Sequence, residues 1–268
     1  MPPARCRPSA GVSSGCAGAD AARDDRFVRA DQGARLTGGH TMLQGTSQKF
    51  RGGCLMLVRD NAGAVDFLGT AFVVHPQGYL LTAAHLVANP DGLRVVPTSS
   101  GGEFQPISFD RVAAMAVTVA QRDTAHDVAL LKIDQDLEIS VPDDFLGSGE
   151  NVLPGATVVS LGYSFGHDQI HTPLTVGGFA SAKIRSYNDT RLILFDNMVQ
   201  NGDIGGPLIH VADGHVVGII SGRFEPADVV RDSAEWERRP ARETNISFAV
   251  DIDYGTALMQ AEGLFEHG

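Results

Sequence analysis

The stretch GTAFVVHPQGYLLTAAHLV, residues 69–87, contains two short apolar runs, 69–74 and 78–83, separated by a turn-rich segment. The runs contain β-branched residues that favour strands, and the proline and glycine between them favour a turn. We therefore expect two strands here. His85 follows the second strand directly, behind two alanines that are small enough to pack tightly.

The same pattern of short apolar runs bounded by Gly, Pro, Asp or Asn continues through most of the chain. The further runs span residues 54–58, 128–133, 156–162, 175–184, 192–196, 205–211, 215–221 and 245–250. Near the end, residues 251–265 instead carry apolar side chains at helical spacing. Many short strands without alternating helices predict an all-β fold of barrels or sandwiches.

A polar, turn-rich segment at residues 134–155 is typical of a linker and divides the strands into two sets. Before the first strand, residues 1–44 have the composition of a flexible leader. We predict a flexible leader at 1–44, one β unit at 45–140 and a second at 141–268 that includes the final helix.

The composition excludes several classes of partner. The formal net charge of −11 disfavours nucleic acid and anionic membranes. No apolar run approaches the ~20 residues of a membrane span. The nine histidines show no paired ligand spacing, so we expect no bound metal and no cofactor.

Cysteine usage and the leader favour a cytoplasmic location. Cys6, Cys16 and Cys54 cannot all pair within the chain, and the leader lacks the apolar core of a secretory signal. Cys54 lies within an apolar run, where a small core residue is expected rather than a nucleophile.

Three segments carry chemistry when they are considered together. Asp127 stands at the start of the 128–133 run, where a buried acid can still reach the imidazole of His85. GDIGGPL, residues 202–208, follows; its glycines can direct two N–H groups at one point, which is how an oxyanion hole is built. Taken singly, each motif is more typical of a turn or a structural residue.

In this order, TAAH, DVALLK and GDxGGPL resemble the trypsin/chymotrypsin-like serine peptidases. GTAFVVHPQGYLLTAAHLV, the late NISFAV and the missing disulfide framework resemble the bacterial HtrA/Deg branch. The resemblance covers about residues 50–250. It implies two six-stranded antiparallel barrels, at 45–140 and 141–268, with the active site in the cleft between them.

The resemblance also implies roles for individual residues. His85 would be the general base and Asp127 the acid that orients it, while the N–H groups of Gly202 and Ile204 would form the oxyanion hole. Residues 220–222 would form the edge strand on which a peptide substrate pairs, and Met198, counted back from residue 204, would lie near the base of the primary specificity pocket. The implied substrate-binding residues are Met198, Ile220, Ser221 and Gly222.

One residue departs from the pattern, because Ile204 stands where the family has its nucleophilic serine. Isoleucine cannot attack a carbonyl, and loss of the nucleophile lowers kcat on the order of 10⁶-fold. We predict a serine endopeptidase scaffold, a hydrolase fold, that is inactive as written. It is either a pseudoprotease that binds peptides or proteins, or an inactivated copy of an active serine protease.

Two further features leave alternatives open. The charged segment 223–245, which contains Trp236, would be the contact loop if the barrels serve only as an interaction surface. ARLTGG, residues 34–39, faintly resembles a zymogen cleavage site, in which Leu36 would pair with Asp203. We expect Asp203 to pair with local backbone or a side chain instead. The sequence does not define the oligomeric state.

Overall fold

The computed structural model describes residues 42–61, 64–97, 104, 106–108, 113–225 and 244–265 of the chain. It contains two closed barrels, each of six antiparallel strands, and a short helix near the end. This confirms the predicted fold class. The leader up to residue 41 and residues 226–243, with Trp236, lie outside the described residues.

The first barrel closes in the strand order β1-β2-β3-β6-β5-β4, with β4 returning to pair with β1. Its strands are β1 (Cys54–Asn61), β2 (Ala64–His75), β3 (Tyr79–Ala83), β4 (Leu93–Pro97), β5 (Met115–Asp123) and β6 (Val128–Ile133). Leu57, Leu80 and Leu131 are fully buried in its interior cluster. Alternate residues of each strand therefore fill the barrel.

Two strands of this barrel, β4 and β5, were not among the apolar runs identified in the sequence. β4 is only five residues long. β5 buries only Met115 and Val117 and leaves the rest half-buried or exposed; apart from Thr118 it is apolar up to Ala120, and it ends in three polar residues. Both strands are held by pairing with β1 and β6, which a local pattern does not reveal.

The second barrel has the strand order β10-β11-β12-β9-β8-β7 and closes through pairing of β7 with β10. Its strands are β7 (Thr157–Gly162), β8 (Leu174–Arg185), β9 (Arg191–Asp196), β10 (Pro207–His210), β11 (His215–Arg223) and β12 (Ile246–Asp251). Val158, Phe195 and Ala249 belong to its interior cluster. Each of the six runs predicted for this half overlaps one of these strands.

Two helices flank the barrels, α1 (Met42–Arg51) and α2 (Ile252–Ala261). Residues 42–44, placed in the leader by the sequence, belong to α1. Asp251 caps α2 by accepting a hydrogen bond from Asp253 N at 3.1 Å. Beyond the helix, Glu262 accepts a hydrogen bond from Gln121 Nε2 at 2.8 Å. The C-terminal segment thus packs back onto the first barrel.

A third apolar cluster joins the two barrels. It includes Met56 and Phe72 from the first barrel and Leu161 and Ile219 from the second. Tyr163, fully buried, donates its hydroxyl hydrogen to the carbonyl of Cys54 at 3.0 Å. This contact satisfies the buried hydroxyl and fixes the relative position of the barrels at the cleft.

Candidate active site

His85 lies in a single 3₁₀ turn, Ala84–Val87, directly after β3. Ala83 and Ala84 are buried, and their small side chains let the turn pack closely against the barrel. The His85 side chain is 48% exposed in the cleft. The imidazole is therefore accessible to a ligand while its backbone is fixed.

Asp127 precedes β6 and faces His85. His85 Nδ1 lies 2.9 Å from both carboxylate oxygens of Asp127, and the His85 backbone N–H donates to Oδ1 at 2.9 Å. A carboxylate can only accept, so this contact fixes the hydrogen on Nδ1 and leaves Nε2 as the basic nitrogen. The structure thus brings together the two residues that the sequence paired.

Several donors keep Asp127 ionised. Burial alone would raise its pKa, but the hydrogen bond and charge of His85, together with the Ser221 hydroxyl, hold the pKa below its usual range. Ser221 donates from Oγ to Asp127 Oδ2. An ionised carboxylate in this position accepts from Nδ1 and so holds the imidazole in the orientation that a general base requires.

The glycine-rich segment forms a tight turn, residues 200–206, beside this pair. Asn201–Asp203 is a 3₁₀ turn, and the carbonyl of Gly202 accepts a hydrogen bond from Thr70 Oγ1 at 2.7 Å. Gly205 N–H donates to the carbonyl of Ile220 at 2.8 Å, next to Ser221. Ile204, half-buried, lies between these two contacts, and its carbonyl accepts a hydrogen bond from Thr70 N at 2.8 Å.

The conformation of this turn bears on the predicted oxyanion hole. Residues in a 3₁₀ turn have negative φ. Gly202, in the 3₁₀ turn Asn201–Asp203, fits this rule, because it is not among the glycines with positive φ. A type II turn over the same residues would need positive φ at Gly202 and would rotate the Asn201–Gly202 peptide by about half a turn. The oxyanion-hole role of Gly202 and Ile204 stays a prediction that depends on which turn forms.

Asp203 is buried and is satisfied locally. Its Oδ1 accepts from Ser164 Oγ at 2.6 Å, and its Oδ2 accepts from Gln200 N at 2.9 Å. Burial raises the pKa of Asp203, and the two hydrogen bonds offset this only in part. These are the backbone and side-chain partners expected from the sequence; Leu36 lies outside the described residues.

The edge strand implied by the resemblance lies at the end of β11. Residues 218–223 pair with β12, whereas the pairing of β11 with β10 ends at Ile219. Beyond the two hydrogen bonds that join Ile220 to Gly205 and Gly206, Ser221–Arg223 have no strand on their other side within the described residues. That edge is available to an extended ligand.

A pocket of about 340 Å³ adjoins the pair and was not predicted. His85, Asp127 and Ser221 line one part of it. Its apolar lining comes from Leu192, Phe224, Phe248 and Val250. The sequence ISFAVD, residues 246–251, could have indicated this lining, because side chains of a strand point alternately to its two faces. Ala249 faces the barrel interior, and Phe248 and Val250 on either side of it face outward.

Met198 is not part of this pocket. It lies in the loop after β9, and 47% of it is exposed to solvent. The next residue, Val199, accepts a hydrogen bond from Arg223 Nε at 3.0 Å, which ties the loop to the end of β11. The structure does not enclose Met198 as the base of a deep pocket.

Two kinds of feature are absent from the part of the chain that the structure describes. It holds no group of three His, Cys, Asp or Glu side chains able to bind a metal ion. It also has no helix with the length and apolar character needed to cross a membrane.

Comparison with known proteins agrees with this geometry. A profile of the trypsin-like peptidase domain matches residues 69–219. A protein named probable periplasmic serine endoprotease DegP-like, from Pseudomonas fulva, is 33% identical over 160 residues, covering 59% of this chain and 29% of that protein. Its namesake in Pseudomonas putida (strain W619) is 33% identical over 197 residues, covering 72% and 34%. The chain spans about a third of the length of these curated relatives.

Solved structures share the fold. The HtrA-type protease AlgW, solved with a tripeptide, has a TM-score of 0.60 at 22% identity and covers 82% of this chain and 62% of its own. AlgW solved with a decapeptide has a TM-score of 0.60 at 20% identity, covering 84% and 68%. At this identity the likeness concerns the fold alone.

The names of the curated relatives correct one expectation. They are periplasmic proteins by name, which contradicts the cytoplasmic location favoured by the sequence. That expectation used the missing cysteine pairs as a sign of a reducing compartment. The inference was wrong because two closed barrels with a joint apolar core need no disulfide, and Cys54 is simply buried within that core.

Proposed function

Because the chain belongs to the trypsin-like peptidase domain family, we propose that it is an HtrA-type protease scaffold that binds extended peptide segments without hydrolysing them. The observation that supports this proposal is that Ile204 stands in GDIGGPL where the resemblance expects the nucleophilic serine, one residue before Gly205, whose N–H donates to the carbonyl of Ile220 next to Ser221. A hydrocarbon side chain offers no hydroxyl for His85 to deprotonate, so no acyl-enzyme can form.

In this proposal the remaining residues keep the roles that the resemblance gives them. His85 occupies the position of the general base and Asp127 that of its orienting acid. In a scaffold that does not hydrolyse peptides, both residues contribute to the ligand-binding cleft and not to catalysis. Gly202 and Ile204 provide the oxyanion-hole N–H groups. The ligand-binding residues are Met198, Ile220, Ser221 and Gly222.

Peptide binding is supported by two neighbouring features. The unpaired edge at Ser221–Arg223 can add a ligand strand through backbone hydrogen bonds. The adjoining pocket of about 340 Å³ has an apolar lining suited to a ligand side chain. The AlgW structures were themselves solved with peptides.

A binding experiment tests the proposal directly. Fluorescein-labelled casein peptides should bind, with a rise in anisotropy, and should remain intact by mass spectrometry. Phe224→Asp places a carboxylate in the apolar lining and should weaken binding at least about tenfold. The matched control Phe179→Asp changes an exposed phenylalanine outside the pocket and should bind normally. Cleavage by the unaltered chain, or equal loss of binding in both variants, contradicts the proposal.

The second candidate is an inactivated copy of an active serine protease. It is favoured by the retained geometry, in which His85, Asp127 and Ser221 still form one hydrogen-bonded set. Ile204→Ser restores the missing hydroxyl and should then restore cleavage of casein. Adding His85→Ala to that variant should abolish the activity again. Cleavage that survives His85→Ala would show that it does not come from this site.

The names of the relatives support a periplasmic location for the protein. Cell fractionation of the native host with a tagged chain tests this. Recovery with periplasmic markers is the expected result, and recovery with membrane or cytosolic markers alone would contradict it.

A further inference from the structure

A second His–Asp pair lies next to the first, in the turn between β5 and β6. His126 Nδ1 is 2.6 Å from Asp123 Oδ2. Asp123 Oδ1 also accepts hydrogen bonds from the backbone N–H groups of Ala125 and His126 at 3.0 and 3.1 Å. These residues, with Thr124, form a closed turn that leads directly into Asp127.

The ring of His126 contacts the helix that follows the last strand of the second barrel. It stacks on Tyr254 of helix α2, with ring centroids 4.0 Å apart and planes inclined by 14°. The Tyr254 hydroxyl accepts a hydrogen bond from Arg191 N at 3.1 Å, and the Arg191 guanidinium lies 5.3 Å from the ring centroid. We call His126, Tyr254 and Arg191 the inter-barrel stack.

The far end of the inter-barrel stack is held firmly. Arg191 Nη2 lies 3.0 Å from Asp253 Oδ2, and Arg191 Nε lies 3.3 Å from Asp251 Oδ2. Asp251 is buried and also accepts from Gly149 N at 3.1 Å. His126 is therefore stacked against an anchored aromatic ring rather than a mobile surface side chain.

Asp127 needs such support because its backbone conformation is unfavourable. Its φ is +57°, in the left-handed region that residues with a Cβ rarely adopt. Such a conformation persists only when the surrounding structure imposes it. Two other contacts assist: Asn188 Nδ2 donates to the carbonyl of Ala125 at 2.8 Å, and Ala84 N donates to the carbonyl of Asp127 at 3.2 Å.

We propose that His126 is a positioning residue: by bonding to Asp123 and stacking on Tyr254, it fixes the left-handed backbone of Asp127 and so aims its carboxylate at His85. The second barrel thereby sets the geometry of a pair carried by the first. The proposal goes beyond the proposed function and holds whether or not the chain cleaves peptides, since it concerns only the His85–Asp127 contact.

The test follows the His85 Nδ1–H proton by NMR, with its resonance assigned by its disappearance in His85→Ala. His126→Ala should speed exchange of this proton with water about tenfold, because its hydrogen bond to Asp127 weakens. His210→Ala is the matched control, since it removes another His–Asp pair, His210 Nδ1 to Asp213 Oδ2 at 2.9 Å, away from the inter-barrel stack. It should leave the exchange rate unchanged.

A second pair of variants isolates the stacking contact and decides the matter if His126→Ala does not fold. Tyr254→Phe and Tyr254→Leu both lose the hydroxyl, but only phenylalanine keeps an aromatic face against His126. The proposal requires normal exchange in Tyr254→Phe and accelerated exchange in Tyr254→Leu. If the His85 proton exchanges normally in Tyr254→Leu or His126→Ala while the melting temperature falls, His126 is merely structural and the proposal is wrong.

Discussion

At the scale of single residues, burial rather than residue type decides what each ionisable group can do. Asp127 and Asp203 are both largely buried carboxyl groups near the cleft. The pKa of Asp127 falls below its usual range despite burial, because His85 and Ser221 donate to it. The pKa of Asp203 rises because burial outweighs its neutral donors, Ser164 and Gln200. The environment therefore stabilises the ionised form of an aspartate at position 127 and destabilises it at position 203.

The raised pKa of Asp203 predicts how the free energy of unfolding depends on pH. Because its folded-state pKa lies above the ordinary 3.8, the folded chain binds more protons than the unfolded chain between those two pKa values. The Asp203 contribution to stability therefore falls as pH rises through that window. Asp203→Asn removes this dependence. Its free energy of unfolding, relative to the unaltered chain, should rise between about pH 4 and about pH 7 in urea titrations. A difference that stays constant or falls would contradict the burial argument.

The burial of Cys54 predicts that its thiol resists alkylation in the folded chain. Burial raises the pKa of its thiol to about 12, although Arg51 opposes the shift. The thiolate is therefore scarce at neutral pH, and the side chain is only 2% exposed. Iodoacetamide should leave Cys54 unmodified in the folded chain and alkylate it in concentrated urea, as read by peptide mass spectrometry. Rapid alkylation of the folded protein would show that the joint core opens at β1.

Much of the residue-level picture was accessible from the sequence. His85 and Asp127 could be paired because His85 follows one strongly apolar run and Asp127 directly precedes another, and we expected local pairing of Asp203 because a buried charge needs a partner. The position of Met198 relative to the pocket was harder to predict, because it was obtained by counting back from residue 204 along a loop whose path the sequence does not define. The lining of the pocket, from Phe224 to Val250, was missed because it depends on how outward faces of separate strands meet.

At the scale of elements, the turn at residues 200–206 is fixed by glycines for different reasons. A Cβ on Gly202 would lie 2.0 Å from the carbonyl oxygen of Tyr163, so close packing excludes any side chain there. Gly205 combines a φ of +85° with a site where a Cβ would lie 2.2 Å from the carbonyl oxygen of Thr70. The turn is thus shaped by its neighbours, in β2 and just after the end of β7, as much as by its own sequence.

Gly205 offers a matched comparison with Gly214, which has a φ of +70° but no atom within 4 Å of the position that a Cβ would occupy. Gly214→Ala should cost about 1 kcal/mol, the conformational penalty alone. Gly205→Ala should cost at least about 2 kcal/mol more, because the backbone of β2 must also move. Urea unfolding of both variants measures the difference. Equal destabilisation would show that the turn is loosely packed.

Strands differ in how well the sequence reveals them. β3 and β6 are almost entirely buried and stand out as apolar runs. β5 has a mixed sequence, apolar up to Ala120 apart from Thr118 and polar from Gln121 to Asp123, and it is only partly buried; it pairs with β6 from Val117↔Ile133 to Asp123↔Val128. Pairing with a partner distant in sequence is a tertiary effect that a local pattern does not contain.

At the scale of the whole molecule, two closed barrels share a core, and the cleft between them holds the His85–Asp127 pair. Both barrels contribute to the hydrogen-bonded set in the cleft: His85 and Asp127 come from the first, and Ser221 comes from the second. The double-barrel architecture was implied by the resemblance to the trypsin/chymotrypsin-like peptidases, since the strand pattern alone left barrels and sandwiches open, and it was confirmed. The cellular location could not be predicted from the cysteine content, because a core without disulfides is compatible with more than one compartment.

The central claim is that this scaffold keeps its acid–base pair yet forms no covalent intermediate because Ile204 replaces the nucleophile. A fluorophosphonate probe, which modifies an activated serine, tests it most directly when the intact mass of the folded chain is measured before and after exposure. We predict no adduct on the unaltered chain and a single adduct at residue 204 in Ile204→Ser. An adduct on any serine of the unaltered chain would contradict the claim.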